Sequence, residues 1–430
     1  MPTHSWTQYD VAPSAARLTS SLRDVGYDFP AAVADLIDNS IAAGASQVSV
    51  DVEFQGTNSF VSISDDGCGM TAHALLEALR FGSRRAYEQG DLGRFGLGLK
   101  TASLSQCRRV TVVSRRSPST RQITTRTLDL DVVEEWDRWL VVEDEPSDAV
   151  RRAQDQLAEG PGTIVIWEKL DRVIPERQME SGWGRRRVMS VAARTSTHLS
   201  MVFHRFIDGL RDGRHLALTV NGEKVESWDP FGTREDATVE LPLQTFEIET
   251  SSTTGQVQLR RFVLPSRDTF STPEAFERLS GPLKWNRQQG IYIYRADRLV
   301  QFGGWNSIRA IDEHTKLARA ALDFDTDLDE SFQINVAKMR VILPAALRPM
   351  LETTIQELCL RAGDVYRRTS SKSAASAPRG RERHTGDLGD VGVALRAAAL
   401  EAGQMGALAE TFEVLRRRSP ELWRTLGLEP

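Results

Sequence analysis

The stretch from Ala31 to Ala45, AAVADLIDNSIAAGA, decides how the rest of the chain is read. Its residues follow a helical pattern in which Asp35 and Asn39 stand one turn apart with Asp38 close by, so three oxygen-bearing side chains share one face. Val33, Leu36, Ile37, Ser40 and Ile41 fall on the other side and are expected to pack against a sheet. Asp28 is positioned to cap this helix and Pro30 suits its first turn. An acidic helix face alone is usually a solvated surface. Its meaning here depends on three further segments.

The second segment, Ser62 to Met70 (SISDDGCGM), ends an alternating strand that starts at Phe60 and turns sharply at Asp65. A carboxylate at a strand end beside two glycines can accept a hydrogen bond from an exocyclic amine, while the missing side chains let a planar base approach. Adenine fits that description. The third, LGRFGLGLK at 92–100, puts Gly93, Gly96 and Gly98 ahead of a helix expected over 99–106. Glycines before a helix N-terminus free backbone N–H groups for phosphate oxygens, and Lys100 adds a point positive charge. The fourth, PGTIVIW at 161–167, sets Thr163 at the start of a strand. Each is weak alone, since GxxGxG also occurs in ordinary turns and Asp-x-Gly-x-Gly in hairpins and calcium loops.

In this order and spacing the chain resembles the GHKL ATPase superfamily, which includes gyrase B, Hsp90, histidine kinases and MutL. DNSIAAGA, FGLGLKTAS, NGEKV and DPF are most similar to bacterial MutL-like relatives of the eukaryotic MORC ATPases. The resemblance implies an α/β fold: a Bergerat-type two-layer α/β sandwich that binds ATP over residues 1–212, a β-α transducer domain over 213–350, a helix over 351–368, a flexible linker over 369–390 and a helical tail over 391–430. It further implies ATP and Mg²⁺ as cofactors, with Asn39 as the side-chain Mg²⁺ ligand, consistent with that ion's preference for hard oxygens, retained waters and few protein ligands. Asp65 would take the adenine amino group, Gly67, Gly69 and Met70 would line the base pocket, and Thr163 would support Asp65 through a hydroxyl and water. Gly93, Gly96, Gly98 and Lys100 would belong to a phosphate lid. From the transducer, Lys338 in INVAKMRVILP would reach the γ-phosphate, with Asn335 and Arg340 as lesser substitutes.

One residue departs from the family pattern. Most hydrolytic members carry Glu where this chain has Asp35, so the carboxylate oxygens sit about 1.5 Å further back, and a misplacement of that order costs about 10²-fold in rate. Asp35 remains the expected general base, with Asp38 in reserve, and hydrolysis is expected to be slow.

The composition fits these expectations. In 430 residues, 40% hydrophobic and 26% charged, there is room for two or three cores. No apolar run approaches the length of a membrane span, and MPTHSWTQYD lacks the regions of a signal peptide, so a cytoplasmic location without membrane attachment is expected. Cys68, Cys107 and Cys359 are too few for a disulfide framework and read as small buried hydrophobes. His198, His204, His314 and His384 lack ligand spacing. A net charge of −5 leaves only local basic clusters, Arg185 to Arg187 and the stretch from Arg367 through Arg383, both read first as solvated surface or linker. The second domain is expected to begin with LALTVNGEKV, whose Asn221-Gly222 marks a hairpin, continue through QLRRFVL and IYIYRADRLV, and carry a helix near 313–322.

The function expected is a slow, ATP-driven conformational switch that closes as an ATP-dependent homodimer and acts with DNA-processing or genome-defence partners, as the resemblance to MutL and MORC implies. Alternatives are an Hsp90-like chaperone, a nucleotide-binding scaffold with little hydrolysis and, least expected, a histidine kinase, whose phosphoacceptor helix would precede the pocket.

Overall fold

Seven strands form a first sheet in the computed structural model: β1 (Gln47–Glu53), β2 (Phe60–Asp65), β3 (Arg109–Arg115), β4 (Ile123–Asp129), β5 (Gly162–Glu168), β6 (Ala217–Val220) and β7 (Glu223–Lys224). Residues 9, 13–24, 26–81, 98–116, 121–210, 213–249, 254–334, 341–376, 399 and 405–420 are described. The strand order is β4-β3-β5-β2-β1-β6-β7. Every pairing is antiparallel except that of β1 with β6.

Interleaved in sequence are α1 (Ala15–Arg23), α2 (Phe29–Ala42), α3 (Ala72–Leu79), α4 (Gly98–Leu104), α5 (Leu130–Trp136), α6 (Asp148–Glu159), α7 (Gly182–Val202) and α8 (His204–Asp208). The helix quoted first is α2. Asp28 caps it, accepting from the Ala31 N–H at 2.9 Å, and Pro30 lies in its first turn. Period-two alternation sends Val48, Val50 and Val52 of β1, Val61 and Ile63 of β2, and Val165 and Trp167 of β5 into one core with α2 and α7. Phe29 packs edge-on against Trp167, ring centroids 5.6 Å apart.

The expectation of helices on one face is corrected by α6. Its Ala149, Val150, Ala153 and Leu157 cover Val113, Ile164 and Ile166 on the opposite face. That is why β5 reads as an unbroken apolar run from Ile164 to Trp167: both its faces are buried. A second correction concerns the boundary at 213. The LALTVNGEKV hairpin belongs to the first sheet, with Ala217–Val220 in parallel register against Gln47–Val50. Asn221 and Gly222 turn it with φ of 50° and 76°, and the Asn221 Oδ1 accepts the Val52 N–H at 2.7 Å. The first sheet therefore extends to Lys224. Hairpin chemistry identified the turn, but it carries no information about which strand edge the hairpin joins.

The second sheet contains β8 (Val239–Glu249), β9 (Thr254–Val263), β10 (Gly290–Arg295), β11 (Arg298–Gln301) and β12 (Ala318–Phe324), in the order β11-β10-β12-β9-β8. With it go the short helices α9 (Pro273–Leu279) and α10 (Lys284–Gln288) and the long α11 (Leu347–Ser376). The helix expected near 313–322 is instead a short 3₁₀ turn followed by β12, a correction with a clear cause. β12 pairs with β10 on one side and β9 on the other, and Ala318, Ala320 and Leu322 are fully buried. Tertiary pairing overrides the helical propensity of its alanines. Leu347, Leu351, Ile355 and Leu358 of α11 recur at helical spacing and pack into the core formed by Val257, Leu259 and Leu322. α11 runs to Ser376, past the linker start expected at 369.

Within residues 1–367 the two sheets meet at α7 and α8. Met201 joins a buried group with Phe231, Phe262, Tyr292 and Tyr294. His204 Nε2 lies 2.8 Å from the Tyr294 hydroxyl, and the Arg205 guanidinium stacks 3.5 Å from the centre of that ring while pairing with Asp297 and Asp323. Residues 368–430 fall in a separate unit, of which α12 (Met405–Arg418) is described.

Candidate active site

Asp65 ends β2 and is fixed by three donors. The Ser40 hydroxyl of α2 donates to Oδ2 at 2.9 Å, and the backbone N–H groups of Gly67 and Thr163 donate to Oδ1 at 3.0 and 3.2 Å. Burial pushes its carboxyl above the usual range, against the pull of those three bonds. The Thr163 hydroxyl, expected to serve Asp65 through water, lies 2.9 Å from the Ser114 hydroxyl instead. Ser114 also accepts from the Met70 N–H at 2.8 Å and donates to the Gly162 carbonyl at 3.0 Å. A hydroxyl has one proton and two lone pairs, so the Thr163 hydroxyl is the donor to Ser114. The neighbouring Asp66 is structural, accepting from the backbone of Ser46 and Gln47 and from the Ser46 hydroxyl.

The glycines here leave no space for side chains. Gly69 has φ of 62°, and a Cβ on it would overlap the Arg115 carbonyl. A Cβ on Gly67 would crowd Ala43 and the Asp65 Oδ1. Met70 is half-buried against the first core. Cys68, expected to be buried, is exposed on this turn, whereas Cys107 and Cys359 are buried.

At the other end of the site stands Asp35, which is buried. The Tyr27 hydroxyl lies 3.2 Å from its Oδ2, and a Cβ on Gly98 at the start of α4 would overlap that same oxygen. Burial, and after it the Asp35 charge, push the Tyr27 phenol above its ordinary range, so it stays a proton donor. Asn39, one turn on, is exposed. Ser40, bonded to Asp65, is five residues from Asp35, about 7.5 Å along a helix axis. The two carboxylates therefore flank a span of nucleoside dimensions, coupled by one rigid helix.

Asp38 does not share the open face. It is fully buried, and Arg298 Nε of β11 lies 2.8 Å from both its carboxylate oxygens. This corrects its standing as reserve base, because a fully buried carboxylate with a guanidinium against both its oxygens leaves no place for an attacking water. The Lys100 ammonium donates to the carbonyls of Ala78, in the last turn of α3, and of Arg80, just past its end, at 2.9 and 2.8 Å. Burial lowers its pKa to about 8. Gly93, Gly96, Lys338, Asn335 and Arg340 lie outside the described residues. Among the described residues no group of three or more His, Cys, Asp or Glu side chains could hold a metal ion. No helix there is long and apolar enough to cross a membrane.

Tyr27, Ser40, Ser114 and Arg298 contact the candidate site residues without any local sequence signal that singles them out. Ser40 falls on the sheet-facing side of the helical pattern, which is where Asp65 lies, so its contact is within reach of the sequence pattern. Arg298, 260 residues from Asp38, is not.

Residues 27–161 match the family model described as histidine kinase-, DNA gyrase B- and HSP90-like ATPase. That segment is an ATPase domain of the GHKL superfamily, of the MutL- and MORC-like kind. The chain is 31% identical over 87 residues to the ATPase morc-1 of Caenorhabditis elegans, covering 20% of this chain and 10% of the relative. It is 40% identical over 92 residues to the DNA mismatch repair protein MutL of Azotobacter vinelandii, and 34% identical over 88 residues to that of Paramagnetospirillum magneticum. Each of those covers 20% of this chain and 14% of the relative. The matched segment thus spans a seventh or less of these relatives' length.

Proposed function

We propose that this chain, with its GHKL-type ATPase domain at residues 27–161, binds Mg²⁺–ATP, hydrolyses it slowly and converts the cycle into a change in how its second sheet is held. The observation that carries this is the Ser40–Asp65 bond. It ties a base-recognising carboxylate to the helix bearing Asp35 and Asn39, so both ends of a nucleotide would be read by one rigid element.

In this reading Asp65 accepts from the adenine amino group, and the tight turn through Gly67, Gly69 and Met70 borders the base. Asn39 is exposed and suited to Mg²⁺, which when bound would neutralise phosphate charge. Asp35 orients the attacking water and accepts its proton, held for that task by Tyr27. Gly93, Gly96 and Gly98 would enclose the phosphates and Lys338 would contact the γ-phosphate from the second domain, which we take to be transducer-like. Lys100 acts through the segment it ties down, Ala78 to Arg80. Closure as a homodimer, and work alongside DNA-processing or genome-defence partners, follow from the likeness to MutL and MORC proteins.

Nucleotide titration combined with steady-state turnover tests the assignment. Asp35→Asn should keep ATP affinity and lose turnover by about 10²-fold or more, and Asn39→Ala should lose the Mg²⁺-dependent part of binding. Asp35→Glu should slow turnover, because Gly98 and Tyr27 already close around the shorter side chain. Unchanged turnover in Asp35→Asn would make the site a binding scaffold or move the base elsewhere.

A further inference from the structure

The hairpin between β10 and β11 turns in two residues, Ala296 and Asp297, with φ of 45° and 65°. Such a turn matches the strand twist but favours Gly, Asn or Asp. An alanine in the left-handed region persists only where the surroundings over-determine it. Here they include two ion pairs on consecutive residues. Asp297 accepts from Arg205 of α8 at 2.9 Å, and Arg298 reaches Asp38 of α2. Asp38 and Arg298 are 0% and 3% exposed, so the second pair is sealed from water.

We propose that Arg298 is a positioning residue for the nucleotide site: from the tip of the second sheet it grips Asp38 and fixes the rotation of α2, and with it Asp35 and Asn39. The proposal rests on the nucleotide assignment above. Asp35 and Asn39 lie three residues before and one residue after the gripped side chain, so neither can turn about the helix axis without moving Asp38 against the guanidinium. A rotation of about 10° displaces a carboxylate carried roughly 6 Å from the axis by about 1 Å. Displacements of that size cost catalysis about 10²-fold. The Arg298 charge also acts on Tyr27, the phenol that donates to Asp35. Buried ion pairs add little stability over apolar residues of similar volume, so positional control is a better account of this one than stability. Docking of the second sheet and nucleotide occupancy become linked, each shifting the other by the same factor.

The test uses the full chain and four variants: Arg298→Met, Asp38→Leu, the double variant and Arg298→Lys. Melting midpoint, equilibrium Mg²⁺–ATP binding and steady-state kinetics are measured for each. Either single truncation strands a buried charge and should lower the midpoint, whereas the double variant should recover it. The proposal expects kcat of the recovered double variant to stay about tenfold or more below wild type. It expects Arg298→Lys, which keeps the charge without the fork, to regain part of that loss, in kcat and in Mg²⁺–ATP affinity together. A double variant that regains both midpoint and kcat overturns it, leaving a pair that only stabilises. Should the double variant stay unstable, Arg298→Lys decides: folded protein with wild-type kcat and Mg²⁺–ATP affinity overturns the proposal, and a folded protein with reduced kcat supports it. Wild-type protein that binds no Mg²⁺–ATP removes the nucleotide assignment and the proposal with it, an outcome seen before any variant is made.

Discussion

Replacing Asp65 by Asn separates recognition from folding in one substitution. The Asn Oδ1 can keep the N–H bonds from Gly67 and Thr163, and the Ser40 hydroxyl can reverse to accept from the new amide. The internal bonds therefore survive. The carboxylate is also a burden to the fold: burial raises its pKa, so the folded chain holds this proton at higher pH than the unfolded chain does. Stability attributable to Asp65 thus falls as pH rises from about 3.9, the unfolded value, through the raised folded value. Asp65→Asn should match or exceed the wild-type melting midpoint at pH 7 and lose that advantage in acid. Binding should behave oppositely. A hydrogen bond to a charged acceptor contributes about 1.5–3 kcal/mol, and at about 1.4 kcal/mol per decade ATP and ADP should both bind roughly 10- to 150-fold more weakly. The relative affinity for GTP should rise, because guanine offers an acceptor where adenine offers an amine. Calorimetric titration with ATP, ADP and GTP beside a melting curve reads all of this. A variant that melts normally and binds ATP within twofold of wild type would refute the assignment of Asp65 to the base.

Two further outcomes are expected. Lys100, with its pKa lowered to about 8, binds fewer protons folded than unfolded between that pH and the ordinary lysine value near 10.4. Its contribution to stability therefore rises with pH across that window, and denaturant unfolding of Lys100→Met should show a flatter pH dependence there than wild type. Sedimentation with a non-hydrolysable ATP analogue should shift mass toward a dimer relative to ADP and nucleotide-free protein, because a ligand that prefers the closed form must populate it. A monomer in all three states over a range of concentrations would remove the dimer from the scheme.

What was legible in the sequence is what local chemistry encodes. Asp28 and Pro30 announced the start of α2, alternation announced β1 and β2, and Asn221-Gly222 announced its turn. Asp65 could be singled out because a strand end, a carboxylate and two glycines are adjacent in sequence. The larger corrections depended on a distant partner. β12 looked helical until two neighbouring strands claimed its alanines, and the 217–224 hairpin carried no mark of the edge it would join. Asp38 looked like a catalytic spare because its charge was visible and the arginine that neutralises it was 260 residues away. The glycines before Lys100 mark it as a candidate phosphate ligand, while the carbonyls of Ala78 and Arg80 that its ammonium also meets could be placed only by the fold.

The parallel pairing of β6 with β1 has a consequence during synthesis. β1 is translated early, yet the strand that covers its outer edge ends at Val220, about 170 residues later, or on the order of 10–35 s at ordinary elongation rates. Throughout that interval Val48 and Val50 lie on a strand whose outer N–H and C=O groups have no mate, the kind of surface on which nascent chains associate. α7, which packs against β1, is complete by residue 202 and can shield one face of that strand before its edge closes. The order of the chain therefore leaves a vulnerable edge but not a vulnerable face, and a chain that has emerged as far as residue 210 is at its most adhesive.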